Sequence, residues 1–122
     1  MTKVIVVDDN PAIGTMIARM LDETEFNCTI LTSAENLVQR LQDDPIDLLI
    51  TDILMPGVEG IELILSVQAA FPALPIVAMS GGGNAIGMDV LRNAQQLGAK
   101  VVLAKPFTRG ELLATMRGAL QG

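Results

Sequence analysis

Five short apolar runs, each followed by a helical pattern, constrain the fold of this chain more than any other feature. The runs cover residues 4–7, 28–31, 48–51, 76–79 and 101–104, and the first of them, VIVV, contains no polar residue. Continuous apolar runs of this length are typical of strands that are buried on both faces of a parallel sheet. Strict alternation of five strands with helices therefore predicts a parallel sheet with helices on both of its faces.

The number and order of these elements narrow the topology. Crossovers between parallel strands are right-handed, and the common strand order of a doubly wound sheet of this size is 2-1-3-4-5. We predict an α/β, flavodoxin-like fold with a five-stranded parallel sheet and five helices in three α/β/α layers. The length of 122 residues fits one compact domain covering residues 1–122.

Helix start signals support this interpretation. Asn10 before Pro11 has the pattern of an N-cap and a first helical position. Ser33 is placed to cap the second helix, and Thr108 and Glu111 have the spacing of a capping box at the start of the last one. The third helix is expected to turn three side chains inward, namely Ile61, Ile64 and Leu65.

The composition excludes several classes of function. Eight basic residues are scattered among fourteen acidic ones at a net charge of −6, so we expect no direct nucleic-acid binding by this domain. There is no histidine, which excludes imidazole catalysis and Cys/His zinc sites. Cys28 is the single cysteine and cannot form an internal disulfide, which is compatible with a reducing cytoplasm. Because no apolar stretch is long enough to span a bilayer and no signal-peptide core follows the first residues, we expect a cytoplasmic globular domain without membrane contact.

Polar residues follow four of the five predicted strands. Asp8 and Asp9 end the first strand, Asp52 the third, Ser80 the fourth and Lys105 the fifth. The carboxyl ends of parallel strands meet at one edge of the sheet, and ligands bind there at the point where the strand order reverses. Three carboxylates on adjacent strands repel one another unless a cation lies among them, and oxygen ligands suit Mg²⁺, with Mn²⁺ as a substitute. The sequence therefore predicts a magnesium site at this edge.

The same residues indicate phosphoryl transfer. A carboxylate beside a divalent cation can attack phosphorus, and we assign this role to Asp52. Charge that develops on the phosphoryl oxygens would be stabilised by the metal, by Lys105 and by backbone N–H groups, for which Ile53 and Gly81 are the candidates. The Ser80 hydroxyl is placed to donate to a phosphate oxygen.

Four motifs carry a resemblance to a known family. They are VIVVDDN at the first strand, TDILMPGVEG at the third, VAMSG at the fourth and LAKPF at the fifth. In this order and on these strands they resemble the receiver domain of the response-regulator family of bacterial two-component signalling, over essentially the whole chain. The resemblance implies that Asp52 accepts a phosphoryl group from a sensor histidine kinase or a phosphotransfer protein.

The resemblance also implies how the other site residues take part. Asp9 and Asp52 would bind Mg²⁺ directly, together with the backbone carbonyl of Leu54, while Asp8 would act chiefly through water. Lys105 would pair with Asp52 and then with the phosphate.

Ser80 would move toward the phosphate and shift the surface made by the fourth helix, the fifth strand and the fifth helix, through which a downstream effector is bound. The peptide bond between Lys105 and Pro106 would be cis.

Two features depart from the family pattern. Val102 stands where many receivers have an aromatic residue, and Phe107 is expected to pack structurally instead of replacing it. The loop after Ser80 carries three glycines and is longer than is common, so we hypothesise that ordering of residues 81–83 and of the following helix start carries the signal.

Three other functions compete with a phosphorylation switch. A small magnesium-dependent phosphohydrolase with an Asp nucleophile would need a second acid two residues later, where Leu54 stands. An FMN binder would need a phosphate-binding loop after the first strand, where Asp8 and Asp9 would repel the phosphate. A phosphorylation-silent interaction module with the receiver fold is disfavoured because every chemical position is filled. We therefore expect a signalling receiver that catalyses only its own phosphorylation and dephosphorylation.

Overall fold

The computed structural model describes residues 2–53, 60–80 and 99–121. The strands in these ranges are β1 Thr2–Val7, β2 Phe26–Leu31, β3 Leu48–Asp52, β4 Ile76–Ser80 and β5 Val101–Ala104. The helices in these ranges are α1 Pro11–Met20, α2 Leu37–Asp43, α3 Gly60–Ala70 and α4 Arg109–Gln121. Each predicted strand coincides with an observed one, so the apolar runs located the whole sheet.

All five strands are parallel and form one sheet in the order β2-β1-β3-β4-β5. The predicted flavodoxin-like α/β fold is therefore confirmed. One further helix of the prediction falls on residues 81–98, which lie outside the described residues. Since the strand order reverses between β1 and β3, the carboxyl ends of these two strands flank the crevice in which such folds bind ligands.

Apolar side chains cover both faces of the sheet. One layer packs Val6, Ile50 and Val77 against α1 and α4. The other layer packs Val7 and Leu49 against α2 and α3. All residues of β3 and β4 are buried. Burial on both faces is the reason why these strands consist of nearly unbroken apolar runs.

Two of the predicted helix starts are confirmed in atomic detail. The Asn10 side chain accepts a hydrogen bond from the Ala12 backbone N–H and caps α1. At α4 the Thr108 hydroxyl accepts from the Glu111 N–H at 3.1 Å, and the Glu111 carboxylate accepts from the Thr108 N–H at 3.3 Å. This reciprocal pair is the predicted capping box.

The predicted cap of the second helix is wrong. The Ser33 hydroxyl accepts from the Glu35 N–H, but this bond closes a local turn and no helix starts there. Helix α2 begins only at Leu37, after Asn36 has adopted a left-handed backbone conformation with φ of 59°. Serine hydroxyls stabilise turns and N-caps in the same way, so the residue type alone did not separate the two.

The predicted inward face of α3 is wrong in part. Ile64 is buried as expected, but Leu65 is exposed, and Leu63 and Val67 face the core instead. The side chain of Ile61 lies outside the described residues. Because the sequence of α3 is apolar on more than one side, only packing against the sheet selects the face that is buried.

Two of the polar contacts that join α4 to the rest of the domain lie in the C-terminal half of this helix. The Arg117 guanidinium donates to both carboxylate oxygens of Glu25 at 2.9 Å each, and it lowers the pKa of Glu25 from 4.5 to about 2. The Lys100 Nζ donates to the carbonyl of Ala119 near the end of the helix at 2.7 Å. A cation at this position complements the negative end of the helix dipole.

None of the helices in residues 2–53, 60–80 and 99–121 combines the length and apolar character needed to cross a membrane. Cys28 lies half-buried on the edge strand β2, and burial raises the pKa of its thiol.

Candidate functional site

The structure brings the predicted polar residues together at the carboxyl edge of the sheet. Asp8 and Asp9 follow β1, Asp52 ends β3, Ser80 ends β4 and Lys105 follows β5. The register aligns the ends of the last three strands, since Asp52 pairs with Met79 and Ser80 with Ala104. The parallel sheet thus turns four chain-distant segments into one site, as the sequence predicted.

Three carboxylates form the centre of this site. Asp8, Asp9 and Asp52 each offer one carboxylate oxygen, and these three oxygens all lie within 4.8 Å of one another. Asp8 and Asp52 are only 1% and 5% exposed, whereas Asp9 is exposed to solvent. Carboxylate oxygens at such spacing repel one another and suit a hard divalent cation such as Mg²⁺. The donor set therefore fits the predicted metal, with Asp9 on the side open to solvent.

Lys105 partly neutralises the buried side of the acidic cluster. Its Nζ lies 2.7 Å from Oδ2 of Asp8 and 3.6 Å from Oδ2 of Asp52, and its side chain is 16% exposed. The other oxygen of Asp8 accepts the Asn10 backbone N–H at 2.9 Å. Both oxygens of Asp8 are engaged in this state, so Asp9 has more capacity left for a metal than Asp8.

Ser80 lies at the end of β4 with its side chain fully buried. Its Oγ finds no hydrogen-bond partner among the described residues. Its backbone carbonyl accepts the Lys105 N–H at 2.7 Å, and the peptide bond from Lys105 to Pro106 is cis, as the resemblance implied. A buried hydroxyl without a partner is costly, so a strong acceptor placed beside it would be bound well.

The predicted backbone contacts to a phosphate have different outcomes. The Ile53 N–H already donates to the Met79 carbonyl at 3.1 Å, so it could serve a phosphate only by leaving or sharing that bond. Leu54, whose carbonyl is the predicted metal ligand, and Gly81, the second predicted phosphate contact, lie outside the described residues. The hypothesis on the glycine loop at residues 81–83 lies outside them as well, and all of these roles stay predictions.

Val102, which departs from the family pattern, and Phe107, the nearest aromatic residue, pack on opposite faces of the sheet. Val102 is partly buried and packs against the apolar layer beneath α2 and α3. Phe107 is buried in the opposite layer, beneath α1 and α4. Phe107 therefore packs structurally, as expected.

Two residues that contact members of the site were not singled out for this from the sequence. Asn10 was predicted only as a helix cap, but its backbone N–H also donates a hydrogen bond to the Asp8 carboxylate. The Asp-x-Asn spacing is typical of local turns and could have predicted this bond. Thr51 is fully buried next to Asp52, and its Oγ1 donates to the Asp52 carbonyl at 3.0 Å. A hydroxyl residue inside an otherwise apolar strand was the signal in this case.

Comparison with known proteins identifies the family of this chain. The sequence model described as "Response regulator receiver domain" matches residues 4–117. The chain is 31% identical over 115 residues to the DNA-binding transcriptional regulator NtrC of Proteus hauseri, covering 94% of this chain and 24% of that protein. It is 30% identical over 118 residues to the transcriptional regulatory protein FixJ of Bradyrhizobium diazoefficiens, covering 97% of this chain and 56% of that protein. The chain thus spans only about a quarter of the length of the NtrC proteins that it matches.

The fold agrees with a solved structure of a similar domain. The receiver domain of NtrX from Brucella abortus superposes with a TM-score of 0.88 at 27% identity, covering 97% of this chain and 98% of that one. The family match covers nearly the whole chain, and the fold agrees with it. The chain belongs to the response regulator receiver domain family, the signalling domains of two-component systems.

Proposed function

We propose that this domain is a phospho-accepting switch in which Asp52 receives a phosphoryl group in a Mg²⁺-dependent reaction. The observation that supports it most directly is the position of Lys105 Nζ between two carboxylates of the acidic cluster, 2.7 Å from Asp8 and 3.6 Å from Asp52. A cation beside a buried carboxylate stabilises the further negative charge that the carboxylate gains on phosphorylation.

The chemistry follows from the residues around Asp52. One oxygen of its carboxylate forms a bond to phosphorus, while the bond between phosphorus and the donor's leaving group breaks and the donor keeps the electron pair. Lys105 moves from Asp8 toward the new phosphoryl oxygens and balances their charge. Ser80, whose Oγ is buried without a described partner, donates a hydrogen bond to one of them.

The acidic cluster supplies the ligands of the metal. Asp9 and Asp52 would hold it directly, together with the Leu54 carbonyl, and Asp8 would act through water. Mg²⁺, or Mn²⁺ in its place, would offset the repulsion between the carboxylates and the incoming phosphoryl group.

Membership of the receiver family supports a proposal for the partners. A sensor histidine kinase or a phosphotransfer protein donates the phosphoryl group in the cytoplasm. A downstream effector binds the surface that includes β5 and the last helix, α4. Neither nucleic acid nor a membrane contacts this domain directly. The domain carries a signal and turns over no metabolite, so its only reactions are its own phosphorylation and dephosphorylation.

Intact-mass measurement tests the proposal. The protein is incubated with acetyl phosphate or phosphoramidate in the presence of Mg²⁺ or of EDTA. We expect the mass of one phosphoryl group to be gained with Mg²⁺ only, and the gain to be absent in Asp52→Asn. Asp43→Asn is the matched control, because it removes an exposed carboxylate far from the acidic cluster and should leave the gain intact. If neither donor phosphorylates the wild-type protein, the domain is a phosphorylation-silent interaction module and the proposal fails.

A further inference from the structure

A buried hydroxyl lies next to Asp52 in the strand that presents it. The buried polar side chains of the described residues are Asp8, Thr51, Asp52 and Ser80. Three of them belong to the proposed phosphoryl site. Thr51 is the fourth, is 0% exposed, and has no part in metal or phosphate binding as derived above.

The hydroxyl of Thr51 holds one side of the peptide that joins Asp52 to Ile53. Its Oγ1 donates to the Asp52 carbonyl at 3.0 Å. The N–H of the same peptide, on Ile53, donates to the carbonyl of Met79 in β4 at 3.1 Å. In a trans peptide the C=O and N–H groups point in opposite directions, so this peptide is fastened from both of its edges.

The sheet offers a backbone hydrogen-bond partner on only one of the two sides of this peptide. Toward β4 the pairing continues up to Asp52 and Met79, so a backbone hydrogen bond is available there. Toward β1 the pairing ends one residue earlier, at Val7 and Thr51, where β1 gives way to the Asp8–Asp9 segment. The Asp52 carbonyl points to this side, beyond the end of the ladder, and the Thr51 hydroxyl supplies a donor at the place where the ladder stops.

We propose that Thr51 is a positioning residue for phosphoryl transfer: its hydroxyl fixes the Asp52–Ile53 peptide and thereby the direction in which the Asp52 carboxylate leaves the strand. The inference rests on the proposed role of Asp52 as phosphoryl acceptor. Orientation of the attacking group within a fraction of an ångström governs such reactions, and a misplacement of about 1 Å can cost roughly 100-fold in rate. Loss of the Thr51 hydrogen bond would let the peptide, and with it the carboxylate, shift relative to Lys105.

The test compares Thr51→Val, which keeps the branched shape and removes the hydroxyl, with Thr51→Ser, which keeps the hydroxyl. Phosphorylation by acetyl phosphate is followed over a range of donor concentrations at saturating Mg²⁺. We expect the limiting rate constant of Thr51→Val to fall about tenfold, with the half-saturating donor concentration little changed, and Thr51→Ser to stay within about twofold of wild type. Thr24→Val is the matched control, because the Thr24 hydroxyl also donates to a backbone carbonyl, that of Leu21, but far from Asp52.

Amide hydrogen exchange gives a readout that does not depend on phosphorylation. We expect the Ile53 N–H to exchange faster in Thr51→Val than in wild type. The Leu49 N–H, which donates to Pro75 at the other end of the same strand pair, should be unchanged, and so should both amides in Thr24→Val.

The outcomes separate the two proposals. A wild-type limiting rate in Thr51→Val, or an equal loss in Thr51→Ser, overturns the positioning role. If the wild-type protein is not phosphorylated at all, the proposed function fails, while the exchange rate of the Ile53 amide still decides whether Thr51 holds the peptide. An unchanged Ile53 exchange rate in a folded Thr51→Val variant also overturns the inference.

Discussion

Removal of the Lys105 ammonium is the perturbation whose effect follows most directly from the geometry. In Lys105→Met, Asp8 keeps its hydrogen bond from Asn10 but loses the cation at 2.7 Å. Asp52 loses the same cation at 3.6 Å. Both carboxylates remain buried, so they keep the cost of desolvation without the charge that offsets it.

The expected loss of stability is large for a single substitution. Removing one partner of a buried ion pair costs about 3–5 kcal/mol. Because the Lys105 side chain is 16% exposed and its second contact is long, we place the loss at the low end, about 3 kcal/mol. The contrasting case is Lys3, whose pair with Asp44 has a similar distance of 2.9 Å but side chains that are 52% and 69% exposed. Lys3→Met changes the net charge by the same amount and should cost at most about 1 kcal/mol.

Urea denaturation followed by circular dichroism at neutral pH measures both variants, since the chain has no tryptophan or tyrosine for fluorescence. The experiment is run with EDTA and again with millimolar Mg²⁺. We expect Mg²⁺ to raise the free energy of unfolding more in Lys105→Met than in wild type, because the cation would enter a cluster that no longer holds the lysine.

Two results would refute this reasoning. The first is a loss in Lys105→Met no greater than that in Lys3→Met, which would mean that Asp8 does not depend on the ion pair. The second is an equal effect of Mg²⁺ on wild type and variant, which would mean that the lysine and the metal do not act on the same carboxylates.

Three further predictions follow from single features of the structure. Ser80→Ala removes a buried hydroxyl that has no partner among the described residues, so it should raise the free energy of unfolding of the unphosphorylated protein by about 1 kcal/mol. A lower free energy of unfolding in urea denaturation would mean that the hydroxyl does form a hydrogen bond. Gly14→Ala should lower the free energy of unfolding by about 1–2 kcal/mol, because the added Cβ would collide with the Ile30 side chain of β2. In Gly118→Ala the added Cβ would meet nothing within 4 Å, so this variant should be as stable as wild type or more stable. Equal effects of the two substitutions would contradict the close packing at Gly14. Arg117→Met should return the pKa of Glu25 from about 2 toward 4.5 in a carboxyl NMR titration. Since the folded-state pKa is depressed, the stability contributed by this pair is present above pH 4.5 and is lost as the pH falls toward 2, so wild type and Arg117→Met should converge at the acid end.

Much of the site was predictable because its residues occupy strand ends. Asp52, Ser80 and Lys105 each come directly after an apolar run, and parallel strands bring such positions to one edge whatever the details of packing. The capping box at Thr108 was predictable for a similar reason, because its two hydrogen bonds join residues three apart in the chain. In both cases local spacing carries the information.

The failures share a different cause. The buried face of α3 was misassigned because Leu63, Ile64 and Leu65 are all apolar, and only contact with the sheet decides which of them is buried. Ser33 was misassigned because a serine that closes a turn and a serine that caps a helix occur in the same sequence pattern.

The sequence by itself located the five strands, the edge at which the acidic cluster lies and the members of that cluster, because periodicity and strand ends are properties of neighbouring residues. The strand order was predicted from the topology rules for parallel sheets. Only the tertiary structure decided that Lys105 pairs more closely with Asp8 than with Asp52, that the Ile53 amide is engaged by Met79, and that Thr51 holds the peptide beside Asp52. These contacts depend on where each strand's pairing with its neighbour ends, to within one residue. The packing of the whole sheet sets the residue at which the pairing ends, and the sequence pattern of a single strand does not predict this residue.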